Sequence, residues 1–427
     1  MGIQEANIYL DNQFNTYYAG QTVNGRIEYI LDSPKKVRGI YVTFKGEAQT
    51  EWCEDKQEQT SAGKQDTITT RYGSTETYFT ITYYLLGSKS GKEIDIPAGT
   101  TEYNFTCALP PVLPSSFEGQ YGYIRYTVRV VVERPWKFNH ETKMAFTVIN
   151  TFDLNLNPSY KEPIHIQLEK TFCCFCCTTA PLSVDVRAPV SGYCPGQVIP
   201  IKVDVENKST VHVHLVQIFL RKIVTYRGTT PKNETKKTKD IVVTIQEGPV
   251  QPGSSKTYNM MLQVPSIPPS DLVNCNIIDL DYDLKVNCKV SGMHMGLSGQ
   301  KYIAIGTIPL VGMSGQELLS GPSSPADPVN PGQPAVLPVG PGQPHPPSAL
   351  GDPSAPGGWV MPSAPPDQPP FQSLYPTLSQ PVYKESTTAA RTIQERGESE
   401  HVMIRGPTNF APYYPTYEAV QPPPLPQ

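Results

Sequence analysis

The strongest constraint on this chain is that its first 315 residues are written twice. Tyr18-Ala19-Gly20-Gln21-Thr22-Val23 leads into Arg26-Ile27-Glu28, and 176 residues later Cys194-Pro195-Gly196-Gln197-Val198-Ile199 leads into Lys202-Val203-Asp204. Ile40 to Lys45 overlies Val216 to Arg221 at the same offset. Leu109-Pro110 with Pro114-Ser115 then matches Val264-Pro265 with Pro269-Ser270 at an offset of 155, and Ile124 to Val130 matches Leu280 to Val286 at 156. The shorter offset needs about 21 more residues in the first copy, and the polar, weakly patterned stretch Glu51 to Gly73 reads as an enlarged hairpin loop that holds them. A chain built this way folds as one domain type used twice.

Each copy reads as β. Ile201-Lys202-Val203-Asp204-Val205-Glu206 alternates apolar and charged residues, as a half-buried strand does. Val23, Gly25, Ile27 and Tyr29 alternate with polar neighbours, and Tyr126 to Val132 is β-branched and aromatic-rich. Short strands bounded by Gly, Pro and Asn turns predict antiparallel sandwiches, and no amphipathic helical period competes. The expected organisation is all-β: two tandem immunoglobulin-like β-sandwiches, residues 1–155 and 178–315, joined by a linker at 156–177.

Composition separates the remainder. Residues 316–427 hold 26 of the 45 prolines, and Gly321 to Pro370 holds 17 of them with no Lys or Arg. Few large aliphatics are present to offset the entropy of ordering, so 316–427 reads as a disordered Pro-rich docking tail. With 17% charged residues the chain is not a coiled coil, and a net charge of −4 provides no field for nucleic acid. The start lacks the basic and apolar regions of a signal peptide, and Ala6 stands where myristoylation after Gly2 requires Ser or Thr. No apolar run reaches the length of a membrane span. The nine cysteines, an odd number with no export signal, read as reduced and cytoplasmic.

Catalytic signatures are absent: no G-x-S-x-G elbow, Walker A loop, H-E-x-x-H or G-x-G-x-x-G occurs. The chain therefore reads as non-enzymatic, with no cofactor. His212 and His214 would share a strand face but lack an evident third zinc ligand. Cys173, Cys174, Cys176 and Cys177 flank Phe175 in the sharpest local cluster. It reads as a short buried linker, as a site of S-acylation at a membrane surface, or as part of a metal site that lacks its second pair. The lysine-rich stretch Lys232 to Lys239 reads as a solvated hairpin loop that can also meet anionic headgroups.

Pro97-Ala98-Gly99, Ser116-Phe117-Glu118-Gly119 with Ile124-Arg125-Tyr126, and Arg134-Pro135-Trp136 together resemble the N-terminal domain of the α-arrestins, the arrestin domain-containing proteins. Lys170-Thr171-Phe172-Cys173-Cys174, the turn Gly192-Tyr193-x-Pro195-Gly196 and Ile305-Gly306-Thr307-Ile308-Pro309-Leu310 are similar to that family's second domain. The resemblance implies the arrestin fold. It also implies an adaptor that binds cytoplasmic parts of membrane receptors or transporters, with peripheral recruitment to plasma membrane and endosomes. Members of the family recruit HECT-type ubiquitin ligases, through WW domains, with PPxY motifs. Here every Pro-Pro pair lacks the Tyr. Gln380-Pro381-Val382-Tyr383, Ala411-Pro412-Tyr413-Tyr414 and Tyr414-Pro415-Thr416-Tyr417 keep only the second Pro and the Tyr. Losing the first Pro removes an apolar anchor of roughly 1–2 kcal/mol, about tenfold or more in affinity, which several sites in one tail offset in part through avidity.

Other tail motifs are complete. Pro353-Ser354-Ala355-Pro356 and Pro362-Ser363-Ala364-Pro365 resemble the late-domain motif bound by the UEV domain of ESCRT-I, where Ala-Pro fills a small apolar slot and the extended backbone bonds at low entropic cost. Leu374-Tyr375-Pro376-Thr377-Leu378 resembles the LYPxL motif bound by the Bro1-family protein ALIX. The terminal Pro423-Pro424-Leu425-Pro426 suits WW or SH3 domains, which leaves a signalling scaffold as the alternative to a trafficking adaptor.

Overall fold

The alternation in the sequence carries straight into the sheets. In the strand Val198–Asn207, Ile199, Ile201, Val203 and Val205 are buried while Lys202 and Glu206 face solvent. Val23, Ile27 and Tyr29 do the same within Thr22–Leu31. The computed structural model describes residues 5–59, 65–174, 177–178, 180–311, 379–395, 398–399, 401–407 and 409–417.

The first sandwich has one sheet in the order Glu5–Leu10, Thr22–Leu31, Gly99–Ala108. Its second sheet runs Thr16–Tyr18, His140–Ile149, Gly122–Glu133, Gly39–Gln59, Gln65–Gly87. The second sandwich has Ile164–Lys170, Leu182–Ala188, Val198–Asn207, Ser254–Gln263 in one sheet. The other runs Gly192–Tyr193, Leu297–Ile305, Ile278–Val290, Val213–Gly228, Glu234–Glu247. The longer sheets correspond strand for strand. Even their exceptions agree: Thr16–Tyr18 runs parallel to His140–Ile149, and Gly192–Tyr193 runs parallel to Leu297–Ile305.

Positions matched by the repeat turn out to be matched hydrogen-bonding devices. The buried Tyr126 donates its hydroxyl to the Pro114 carbonyl at 2.7 Å, and the buried Tyr282 donates to that of Pro268 at 2.9 Å. Ser115 accepts the Asn150 amide at 2.9 Å, as Ser270 accepts that of Ile305 at 2.8 Å. A buried phenol or strand-end amide needs a partner; the tyrosines and serines match by the repeat, while the phenol's acceptor shifts by one residue, from Pro114 to Pro268 rather than Pro269.

The structure differs from the sequence reading at three places between the sandwiches. Glu51 to Gln59 and Gln65 to Gly73 are strand, not loop: the two arms of the first hairpin are 21 and 23 residues long and stay paired to Gln59↔Gln65. Trp52 stacks on Tyr72 with centroids 5.6 Å apart, both buried, against Gly228 of the second sandwich. Farther out, beyond Glu54, the paired arms are largely exposed, so the backbone ladder rather than a buried stripe defines the strand and alternation fades. Lys232 to Lys239 is mostly the start of the edge strand Glu234–Glu247, and Lys236 reaches Glu54 of that hairpin at 3.3 Å. Within 156–177, Ile164–Lys170 pairs along its length with Leu182–Ala188 and belongs to the second sandwich. The connection itself is shorter, built from the 3-10 turns Leu154–Leu156 and Pro158–Lys161. Among the described residues no helix is long and apolar enough to cross a membrane.

Candidate functional site

The expected docking motifs fall into two groups. Pro353, Ser354, Ala355, Pro356, Pro362, Ser363, Ala364 and Pro365 lie outside the described residues, as do Leu374, Tyr375, Pro376, Leu378 and the terminal proline run. The proline–tyrosine remnants are described, and they are not free. Pro412, Tyr414, Pro415 and Tyr417 are buried, while Pro381 and Tyr383 are half-buried. The expectation of a disordered tail is therefore corrected over 379–417, where the chain returns and packs across both sandwiches.

Three short ladders organise the return. Val382–Glu385 pairs with Tyr413–Thr416, Arg391–Thr392 pairs with Asn409–Phe410, and Val402–Arg405 adds in parallel to His140–Ile149. This last pairing satisfies backbone groups that a sheet otherwise leaves open. Aromatic and aliphatic side chains of the segment then provide its apolar burial. Ile393 and Phe410 close over Ala145 in a small separate core. Tyr383 packs its ring 5.6 Å from Phe14 and donates to the Tyr18 hydroxyl at 3.1 Å.

The same segment bonds to each sandwich. On the first, the Tyr414 hydroxyl donates to the Ser116 carbonyl at 2.8 Å, Arg391 donates to that of Gly119 at 3.0 Å, and Thr147 accepts the Tyr413 amide at 3.1 Å. On the second, the Tyr417 hydroxyl donates to the Thr307 carbonyl at 2.7 Å and its amide to that of Pro195 at 2.8 Å. Ser266 donates to Lys384 at 2.8 Å and accepts the Thr387 amide at 2.9 Å. A strap bonded on both sides of the connection restrains the two sandwiches relative to each other.

A charged centre holds the middle of the strap. Lys143, buried in the strand His140–Ile149, contacts Glu395 at 2.5 Å, Glu398 at 3.2 Å and the Ile393 carbonyl at 3.2 Å. Arg129 adds a second cation 3.6 Å from Glu398. Burial pushes the Glu395 carboxyl up, but the hydrogen bond and charge of Lys143 outweigh it and hold Glu395 below its ordinary value.

Gly196 shows how closely the strap end is seated. Its φ is +87°, and a Cβ there would lie 2.0 Å from the Tyr417 carbonyl oxygen. Glycine is required on both counts. Gly196→Ala is expected to detach the Tyr413–Tyr417 end while leaving the Lys143 contacts in place. Hydrogen exchange should quicken at the Tyr417 amide and stay unchanged across 402–405; equal protection at Tyr417 would refute the close approach.

The cysteine cluster forms a small hairpin, Cys173–Cys174 pairing with Cys177–Thr178, with Cys176 outside the described residues. His212 and His214 bring their rings to 5.0 Å, and no third ligand joins them among the described residues. Sequence reasoning missed Lys143, Glu395 and Glu398 altogether, because nothing in a linear pattern links residues about 250 positions apart.

Comparison with known proteins follows this division. Residues 6–155 match the family described as Arrestin (or S-antigen), N-terminal domain, and residues 178–310 match Arrestin (or S-antigen), C-terminal domain. The chain is 30% identical over 446 aligned residues to Arrestin domain-containing protein 17 of Caenorhabditis elegans, covering 96% of this chain and 98% of that one. It is 30% identical over 312 residues to Arrestin domain-containing protein 4 of Mus musculus, covering 71% and 72%, and 29% identical over 309 residues to the Homo sapiens protein of the same name, covering 71% of each.

Proposed function

The chain belongs to the arrestin family, as a non-enzymatic adaptor, and from that membership we propose that it gathers membrane-protein cargo and passes it to endosomal sorting machinery. The sandwiches hold cytoplasmic segments of receptors or transporters. The stretch carrying two P-S-A-P motifs and Leu374 to Leu378 engages the ESCRT-I UEV domain and an ALIX-type Bro1 protein. The observation that carries this reading is the clustering of all three motifs within positions 353–378, between the second sandwich and the strap. Recruitment of a HECT-type ligase through Pro381/Tyr383, Pro412/Tyr414 or Pro415/Tyr417 requires the strap to leave its seat, because a WW domain grips the side chains that are packed away here. The protein works in the cytoplasm and is recruited to plasma membrane and endosomes. Cysteines of the 173–177 cluster serve as acylation sites that prolong its stay there.

Titration of the full chain with a UEV domain tests the sorting link. Changing both P-S-A-P motifs to A-S-A-A is expected to abolish binding without moving the melting temperature. Unchanged binding would sink the ESCRT-I assignment and leave the family membership intact.

A further inference from the structure

The connection between Gly122–Glu133 and His140–Ile149 presents two aromatic rings to solvent. Trp136 is 93% exposed and Phe138 79%, whereas Trp52 is 3% exposed. This exposure is built, not incidental. Pro135 interrupts the ladder, and Trp136 sits at φ +60°, a left-handed conformation that a bulky side chain rarely adopts. The Arg134 guanidinium folds back onto the Phe138 carbonyl with bonds of 2.9 and 2.6 Å and fixes the turn. The nearest aromatic neighbour is His401, whose ring lies 5.8 Å from Phe138 and leaves Trp136 uncovered.

The surroundings are cationic on a chain that is net negative. The Arg38 amide bonds to the Glu133 carbonyl at 2.7 Å, and Lys35 lines one small cavity with Arg134, so Asp32 to Arg38 lies beside the turn. Lys35–Val37 pairs in turn with Ile94–Ile96, which brings Lys89 and Lys92 to the same end. Three of the local acids are engaged: Asp32 with Lys35 at 2.9 Å, Glu93 with Lys36 at 4.0 Å, and Glu133 with the Tyr84 hydroxyl at 3.0 Å. Asp95 also lies here, and Glu141, across the ladder near Glu133, is engaged by Arg129. Arg38, Lys89, Lys92 and Lys137 form no salt bridge among the described residues.

We propose that Trp136 and Phe138, framed by these cations, form a wedge that seats the first sandwich on an anionic phospholipid surface. Indole and phenyl rings settle at headgroup depth, and lysine and arginine beside them are drawn to anionic lipid. A convex turn with a cationic surround complements a flat, negatively charged bilayer. Phe138 borders the strap at His401 while Trp136 stands clear of it, and the wedge orients the protein on the membrane where its cargo resides.

Co-sedimentation of the full, unacylated chain with phosphatidylcholine vesicles, with and without phosphatidylserine, tests this. Binding is expected only with phosphatidylserine, weakening as salt rises. In a Trp359→Phe background, where the buried Trp52 is the one other indole, the emission should shift to the blue on binding, and the shift should be lost with Trp136→Ala. The double change Trp136→Ala, Phe138→Ala is expected to lower partitioning roughly tenfold or more, and Lys137→Ala to lower it less. Both touch exposed groups, so an unchanged melting temperature serves as the folding control. Absence of wild-type binding, or equal binding by the double variant, overturns the proposal. So does a double variant that keeps vesicle binding but loses a cargo peptide, which would mark the wedge as a protein contact.

Discussion

Arg125→Ala is expected to lower the melting temperature of the first sandwich by about 6–20 °C. Arg125 and Glu118 are both buried and face each other in a two-pronged bond, Nε to Oε1 at 2.8 Å and Nη2 to Oε2 at 2.9 Å. The guanidinium also lies 4.1 Å over the Tyr123 ring. Burial already pushes the Glu118 carboxyl up to about 7, so without Arg125 it must stay charged and unpaired in a dry interior or take up a proton, a loss of up to about 3–5 kcal/mol. At about 2–4 °C per kcal/mol for a domain of this size, the shift is easily read by calorimetry. The pair is held more firmly by its geometry than by its net energy, because a matched apolar pair in the same space is often as stable. Arg125→Met with Glu118→Leu should therefore recover much of the loss that Arg125→Ala produces. A single variant that melts within about one degree of wild type would mean that water reaches Glu118.

That pair illustrates how much the sequence exposes. Ser116-Phe117-Glu118-Gly119 and Ile124-Arg125-Tyr126 stand out as motifs in the linear text, and the fold places Glu118 and Arg125 on adjacent paired strands, Phe117–Gly119 and Gly122–Glu133. Tyr126 and Tyr282 were legible as a repeat because each copy must satisfy the same buried phenol in the same way. The strap was illegible for a different reason. Averaged over 112 residues the tail is proline-rich, yet 379–417 holds only four prolines, with Tyr383, Ile393, Phe410, Tyr414 and Tyr417 spaced along it. Those residues do not alternate or repeat, since each fills a hollow made by another part of the chain. A window over 379–417 alone would have exposed its aromatic content, but only the folded sandwiches define where the rings go. The polar first hairpin was missed likewise, because backbone pairing needs no apolar period.

Lys143→Ala is expected to free the strap. The ammonium satisfies two tail carboxylates and a tail carbonyl while its own strand carries Val402–Arg405. Without it, Glu398 keeps Arg129 at 3.6 Å, and Glu395 keeps only the more distant charges of Lys45 and Arg125. A fully buried pair would lose about 3–5 kcal/mol; Glu395 is about one-third exposed, so roughly 2–3 kcal/mol is the fitting discount, a rise of about 30- to 150-fold in the undocked population. The loss falls on docking and not on the fold, because both sandwich cores close without the strap's carboxylates. Acid should act in the same direction. The docked Glu395 carboxyl sits below its ordinary value of 4.5, so the undocked strap binds the proton more readily. Its contribution is present above the ordinary value and drains away as pH falls from there through the docked value. Hydrogen exchange at 402–405 and 413–417 reads the release directly, and WW-domain capture reads its consequence. Wild-type chain should bind a WW domain less than Lys143→Ala does, since release exposes Pro412, Tyr414, Pro415 and Tyr417. If exchange quickens in the variant but capture does not change, the strap is a restraint between sandwiches and the proline–tyrosine pairs are anchors alone. If neither changes, the tyrosine contacts at Ser116 and Thr307 hold the strap without the charged centre.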